Sequence, residues 1–248
     1  YSTSFSIYDT EDSESLVTNI INDFNISSDA LNPRDVTRRI SFLKNSMIFP
    51  EDLLKKEDRS SVEEKFLKIY QEYQRKIVAN DAMDFEDLVL KTLELLQNNK
   101  KAFNKYKKKF DYFLFDEFQE TSVAQYEIIK LLCSKAGKIC AIGDDSQSIY
   151  SWRGARYTNI HSFKEDFSRV KQFSLDKNFR SSASILAAAS EIISRNESFV
   201  EKKLFTENEE GEHLSLIKCS DEKDEAYQLA KFIKDEIADN KYSYCDFA

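Results

Sequence analysis

Apolar residues recur at helical spacing through the first part of the chain and give way to short unbroken runs after it. Leu16, Val17, Ile20, Ile21 and Phe24 line one face of a helix. Asn32-Pro33 opens a second, with proline at the first helical position, where its missing N–H is no loss. Phe66, Ile69, Tyr70, Tyr73 and Ile77 stripe a third, and Asp84 can cap a fourth carrying Phe85, Leu88, Val89 and Leu96. The polar stretch from Pro50 to Ser61 reads as a linker or disordered loop. Residues 1–108 are therefore expected to be helical.

From Phe110 onward the pattern becomes strand, helix, strand, and an α/β layer begins. One apolar run, Phe113-Leu114-Phe115, ends on Asp116-Glu117, and a second closes on Gly143-Asp144-Asp145-Ser146-Gln147. Both read as short, fully buried strands of a parallel sheet, with polar residues at the strand ends, where open α/β sheets place their ligands. An Asp-Glu pair there can divide phosphate chemistry. Asp116 would hold Mg²⁺, directly or through water, and Glu117 would orient or deprotonate an attacking water. A third strand, Val170 to Leu175, leads through Asp176-Lys177-Asn178 into a helix with Ile185, Leu186, Ala189 and Ile193. Residues 214–218, 222–239 and 244–248 then repeat strand, helix, strand.

Composition narrows the class without deciding it. Of the 248 residues 41% are apolar, enough for cores, and no run reaches the ~20 apolar residues of a membrane span, so a soluble cytoplasmic chain is expected. Cys133, Cys140, Cys219 and Cys245 form no Cys-x-x-Cys pair and read as reduced core thiols. The net charge of −8 is concentrated late: residues 201–248 hold 13 acidic and 7 basic residues, so the rest is close to balance and charge neither selects nor excludes nucleic acid. Lysines 100, 101, 105, 107, 108 and 109, interleaved with Phe103, Tyr106 and Phe110, read as a solvated helix face, with phosphate contact as the alternative.

Four segments sharpen the picture. Residues 116–119 are Asp-Glu-Phe-Gln, residues 147–155 are Gln-Ser-Ile-Tyr-Ser-Trp-Arg-Gly-Ala, and residues 178–181 are Asn-Phe-Arg-Ser. In this order and spacing they resemble the second, third and fourth motifs of the UvrD/Rep/PcrA group of superfamily 1 DNA helicases. Met83-Asp84-Phe85-Glu86-Asp87-Leu88 is similar to a fourth group signature, Leu-Asp-Phe-Asp-Asp-Leu. The resemblance covers most of the chain and weakens after about residue 200.

The resemblance implies a RecA-like P-loop NTPase motor fragment with a parallel sheet, preceded by an all-α inserted domain. Residues 1–108 would be the insertion 1B, 109–169 the second half of motor domain 1A, and 170–248 the beginning of 2A. In this group ATP binds with Mg²⁺ at the seam between 1A and 2A, and movement is 3′ to 5′ on single-stranded DNA and at single-strand/duplex junctions. Asp116, Glu117, Gln147 and Arg180 would be catalytic. Gln147 would sense the γ-phosphate, Arg180 would neutralise charge on it, and Phe179 would lie against the adenine, where the group more often has tyrosine. Tyr150, Trp152, Arg153 and Phe85 would contact DNA bases. Each has a plainer competitor: a loop-capping amide for Gln147, an ion pair with Asp176 or Glu191 for Arg180, and a core ring for Trp152 or Phe85. Glu120 stands where the group usually has aspartate.

A helicase motor also needs Gly-x-x-x-x-Gly-Lys-Ser/Thr, whose backbone N–H groups wrap the phosphates. The four glycines are 137, 143, 154 and 211. Only Gly137 precedes a lysine, with Ile139 after it and Leu132 where the first glycine should be. The chain begins at Tyr1 and stops at Asp246-Phe247-Ala248, in what reads as the first half of a strand. It is therefore expected to be an internal fragment, inactive alone, of an ATP-dependent DNA helicase. The alternatives are a helicase–nuclease of the RecB/AddA kind and a non-catalytic DNA-binding module. The tryptophan of the third motif and the modest 1B length favour the UvrD/Rep type.

Overall fold

The computed structural model describes residues 1–27, 31–55, 58–133, 138–196, 203–238 and 242–247. The chain divides into two compact units, Tyr1–Gln172 and Phe173–Ala248. The first begins with β1 (Ser6–Tyr8), α1 (Thr10–Asp23), α2 (Pro33–Asn45), α3 (Pro50–Leu54), α4 (Ser61–Ala79), β2 (Ala82–Asp84), α5 (Phe85–Asn98) and α6 (Lys100–Lys109). Their starts follow from local chemistry. Asp9 and Asp12 form a reciprocal capping box on α1, Asn32 caps α2 ahead of Pro33, Ser60 and Glu63 box α4, and Asp84 accepts from the Asp87 N–H to cap α5.

Val17, Ile20, Ile40, Phe66, Ile69, Tyr70, Tyr73 and Ile77 converge where α1 meets α2 and α4. Each buried aliphatic side chain there contributes roughly 1.5–3 kcal/mol. Phe24 is an exception to the expected stripe: it lies beyond the end of α1 and is exposed. The stripe on α5 is also rotated from the expected one. Asp87, Leu90, Leu93 and Leu96 are buried while Phe85 is exposed, because Asp87 is drawn inward by a buried lysine.

Three further corrections concern this region. It is not all helical: β1 and β2 form a parallel ladder in the register Ser6↔Ala82, Ile7↔Met83, Tyr8↔Asp84. The stretch from Pro50 to Ser61 is not merely a linker, since Pro50 at the first position and the Asp52 carboxylate on the Phe49 N–H start α3; residues 56 and 57 lie outside the described residues. The α/β layer, β3 (Phe113–Phe115), α7 (Val123–Cys133), β4 (Ile139–Ala141) and α8 (Thr158–Asp166), has strands buried on one face only. Phe113, Phe115, Ile139 and Ala141 pack on Phe118, Tyr126, Ile129, Cys133 and Phe163, whereas Leu114 is 74% exposed and Cys140 is exposed. A two-stranded ladder alternates faces, and a second covering layer is absent among the described residues.

The second unit holds β5 (Lys177–Asn178), α9 (Ala183–Ile193), β6 (Phe205–Thr206) and α10 (Glu222–Ala238), with β5 and β6 parallel. The expected strand over Val170–Leu175 does not form. Phe173 and Leu175 are exposed, and pairing begins only at Lys177, where β6 supplies a partner. Among the described residues, positions 214–218 likewise have no ladder neighbour and form no strand, Tyr244–Asp246 is a 3₁₀ turn, and Ala248 lies outside the described residues. Among the described residues no helix is long and apolar enough to cross a membrane.

Of the four thiols only Cys133 is a core residue, and burial pushes its thiol up to about 11; Cys140 and Cys245 are exposed. Thiol titration of the native chain near pH 8 is therefore expected to label Cys140 and Cys245 promptly and Cys133 only on unfolding. Prompt labelling of Cys133 would contradict this packing.

Candidate functional site

The β3–β4 register, Phe113↔Ile139, Leu114↔Cys140, Phe115↔Ala141, brings both strands to their C-terminal ends at one level. Backbone bonds extend the ladder, Ile142 N–H to Phe115 C=O at 2.8 Å and Phe118 N–H to Ile142 C=O at 2.9 Å. Asp116-Glu117 and Gly143-Asp144 therefore leave the sheet side by side. Asp116 and Glu117 are both exposed. Glu117 adopts a left-handed backbone with φ +50°, and its N–H donates to the Asp116 carboxylate at 3.0 Å. A non-glycine residue there is held against its local preference, so the turn depends on what binds it.

What binds it is Gln119, whose side chain has no exposed surface. Its Nε2 donates to the Glu117 carboxylate at 2.6 Å and its Oε1 accepts from the Asp144 N–H at 3.0 Å. The carboxylate can only accept and the N–H can only donate, so the amide has one consistent orientation. Gly143 leaves room for it, since a Cβ there would stand 2.8 Å from Gln119 Oε1. Asp144 in turn accepts from the Ser146 N–H and from Gln147 Nε2, both at 2.9 Å, which tethers the exposed Gln147 beside the strand ends.

The same strip holds the segment that follows. Glu120 accepts from the Ile149 N–H at 3.1 Å, so the longer reach of glutamate is used to pin this loop. The Thr121 carbonyl accepts from the Arg156 N–H at 3.0 Å and from Asn159 Nδ2 at 2.9 Å. Between these anchors Ser151–Arg153 forms a 3₁₀ turn ending on Gly154 at φ +87°. Trp152 is 60% exposed and Tyr150 is exposed beside it. The Arg153 guanidinium lies 4.6 Å from the Trp152 ring and 5.1 Å from that of Tyr150. Trp152 is thus no core residue, and this aromatic–cation surface suits stacking on unpaired bases.

Phe85, the first residue of α5, is 55% exposed, which removes the core alternative for it as well. Beneath it lies a buried ionic knot that sequence reasoning missed. Lys44, with no exposed side-chain surface, sits 2.5 Å from Asp84 Oδ2 and 2.9 Å from Asp87 Oδ1. The Tyr73 hydroxyl donates to Asp84 Oδ2 at 2.9 Å. Burial raises the Asp87 carboxyl above its usual range, against the lowering effect of Lys44. The available signal was a lysine on the apolar face of α2 with Val36, Ile40 and Leu43.

In the second unit Asn178 Oδ1 accepts from the N–H groups of Arg180 at 2.9 Å and Ser181 at 2.8 Å. Phe179, 77% exposed, and Arg180 are thereby presented on the loop ahead of α9. Among the described residues Arg180 makes no ion pair: Glu191 pairs with Arg195 at 3.1 Å, and Asp176 accepts from Ser174. Among the described residues no three His, Cys, Asp or Glu side chains converge on a metal position. A lone exposed Asp116 fits Mg²⁺ as proteins usually take it, on one or two carboxylates with substrate phosphates completing the shell.

Residues 1–168 match the UvrD/REP helicase N-terminal domain, and residues 173–248 match the UvrD-like helicase C-terminal domain. An ATP-dependent DNA helicase PcrA of Staphylococcus epidermidis is 38% identical over 240 residues, 96% of this chain and 33% of its own. The protein of that name from Leuconostoc citreum is 35% identical over 244 residues, 98% of this chain and 32% of its own. One from Staphylococcus aureus is 36% identical over 239 residues, 96% and 33%. The chain thus spans about a third of the length of these relatives.

Replacing Gln119 by alanine removes both hydrogen bonds of the buried amide, to the Glu117 carboxylate and from the Asp144 N–H. It is expected to lower the unfolding free energy of the first unit by about 1–3 kcal/mol. A urea melt of the variant that superimposes on the parent would contradict the clamp.

Proposed function

The chain belongs to the UvrD/REP helicase family, and from that premise we propose that it is part of an ATP-dependent DNA helicase that tracks single strands 3′ to 5′ and opens duplex at junctions. The fold that goes with this family is P-loop NTPase-like. In the proposed division, 1–108 is the inserted domain, 109–169 the second half of the first motor domain and 170–248 the start of the second. Asp116 would hold Mg²⁺, which when bound would supply positive charge to offset that of the phosphate oxygens. Glu117 receives the proton of the attacking water, its carboxylate aimed by Gln119. Gln147 reads the γ-phosphate through an amide that can both donate and accept. In the second unit, Arg180 is proposed as a cation for a nucleotide phosphate and Phe179 as a face for adenine.

One observation supports the reading above the others: the start of the segment from Gln147 to Arg153 is tied to the strand ends, Gln147 to Asp144, Ser148 to the Gln119 carbonyl and Ile149 to Glu120. A change at the γ-phosphate therefore has a short covalent and hydrogen-bonded route to Tyr150, Trp152 and Arg153, whose rings and guanidinium face single-stranded DNA. No Gly-x-x-x-x-Gly-Lys-Ser/Thr occurs in the sequence, so we propose that the chain by itself is not an ATPase.

In the whole protein Gln147→Ala is expected to uncouple hydrolysis from unwinding, raising the ATP consumed per base pair opened. Unchanged coupling would remove Gln147 from the route. The chain alone is expected to hydrolyse ATP far below the ~1 s⁻¹ of a working enzyme; turnover at that rate would overturn its proposed incompetence.

A further inference from the structure

Phe85 and the Tyr150–Trp152 turn lie far apart in sequence, yet the last turn of α2 reaches the supports of both. Lys44 is ion-paired to Asp84 and Asp87, which flank Phe85. Ser41 Oγ donates to Glu86 Oε1 at 2.6 Å, and Asn45 Nδ2 stands 3.5 Å from the same oxygen. On its other side Asn45 presses on Gly154, where any Cβ would overlap Asn45 Cβ. Gly154 closes the aromatic turn, and its φ of +87° adds a second reason for glycine.

Stability alone does not account for a buried ammonium between two carboxylates. Neutral residues of similar volume often hold such a space equally well, whereas removing one charge strands the others. What charges add is a narrow geometry: α2 cannot slide on β2 and α5 without opening both ion pairs. We propose that the Lys44–Asp84–Asp87 knot is a positioning device for DNA recognition. It fixes Phe85 as a preorganised face for a base, on the same helix end that Gly154 of the aromatic turn packs against. This rests on the base-contacting reading of those rings. Lys44 touches no DNA; it acts through the residues it holds.

The test is a mutational cycle in the full chain, read by anisotropy of labelled oligo-dT alongside thermal melting. Lys44→Met/Asp84→Asn/Asp87→Asn removes the charges together and keeps a capping residue at 84. It is expected to melt near the parent and to bind oligo-dT about tenfold more weakly, the scale of one stacked base. In a Phe85→Ala chain the same replacement should change affinity by less than about twofold, because the ring it positions is gone. An equal loss with and without the ring, or no loss in either, overturns the proposal. Should the neutral trio fail to fold, Ser41→Ala/Asn45→Ala loosens the same bridge from partly exposed positions. A loss that depends on Phe85 is again expected, and a ring-independent or absent loss is again fatal. If Phe85→Ala itself leaves oligo-dT binding unchanged, the base-contacting role of Phe85 fails first, which separates that failure from failure of the knot.

Discussion

A carboxamide with no access to water must satisfy both of its ends inside the protein, and Gln119 does so by donating to Glu117 at 2.6 Å and accepting from the Asp144 N–H at 3.0 Å. The two strand ends are thereby locked at one height, and the left-handed turn at Glu117 is held against its preference. Everything downstream is hung on the same few residues. Ile149 is pinned by Glu120, and Arg156 and Asn159 by Thr121. The strip thus carries the acidic pair at one end and anchors the segment leading to the aromatic turn at the other.

Two buried polar knots thus do different work. The Gln119 amide is neutral and joins backbone to side chain across two strands. The Lys44 knot is ionic and joins two helices and a strand end. Around them the apolar clusters supply bulk stability, but clusters of Ile, Leu and Phe tolerate small slides, and polar partners do not. The lysines of α6 stand apart from both. Their ammonium groups lie over neighbouring rings, Lys107 at 4.7 Å from Phe103 and Lys109 at 5.3 Å from Phe110.

Much of this was legible in the sequence where the cause is local. The caps at Asn32 and Asp84 and the stripe from Phe66 to Ile77 follow from spacing that a helix reads by itself. The acidic pair at a strand end was legible for the same reason. Pairing across long separations was not. Ser6–Tyr8 and Ala82–Asp84 are too short to show alternation, and their ladder exists only because the helices between them return the chain. A strand at Val170–Leu175 was suggested by its apolar residues, but among the described residues Phe173 and Leu175 pair with no strand and stay exposed. The motif residues announced themselves by resemblance. Gln119 and Glu120 were visible in or beside a motif, but their supporting roles were not, and Lys44 was missed altogether, because Asp144, Ile149, Asp84 and Asp87 lie far from them in sequence.

If the turn held by this strip is a surface for bases, its rings must respond to single-stranded DNA. Trp152 is the only tryptophan, so its emission reports that turn alone. The decisive measurement is its fluorescence during titration with oligo-dT at low and high salt. Quenching that saturates and weakens as salt rises is the predicted result, since stacking is accompanied by phosphate neutralisation. A flat signal at both salt concentrations, from a ring this exposed, would contradict it.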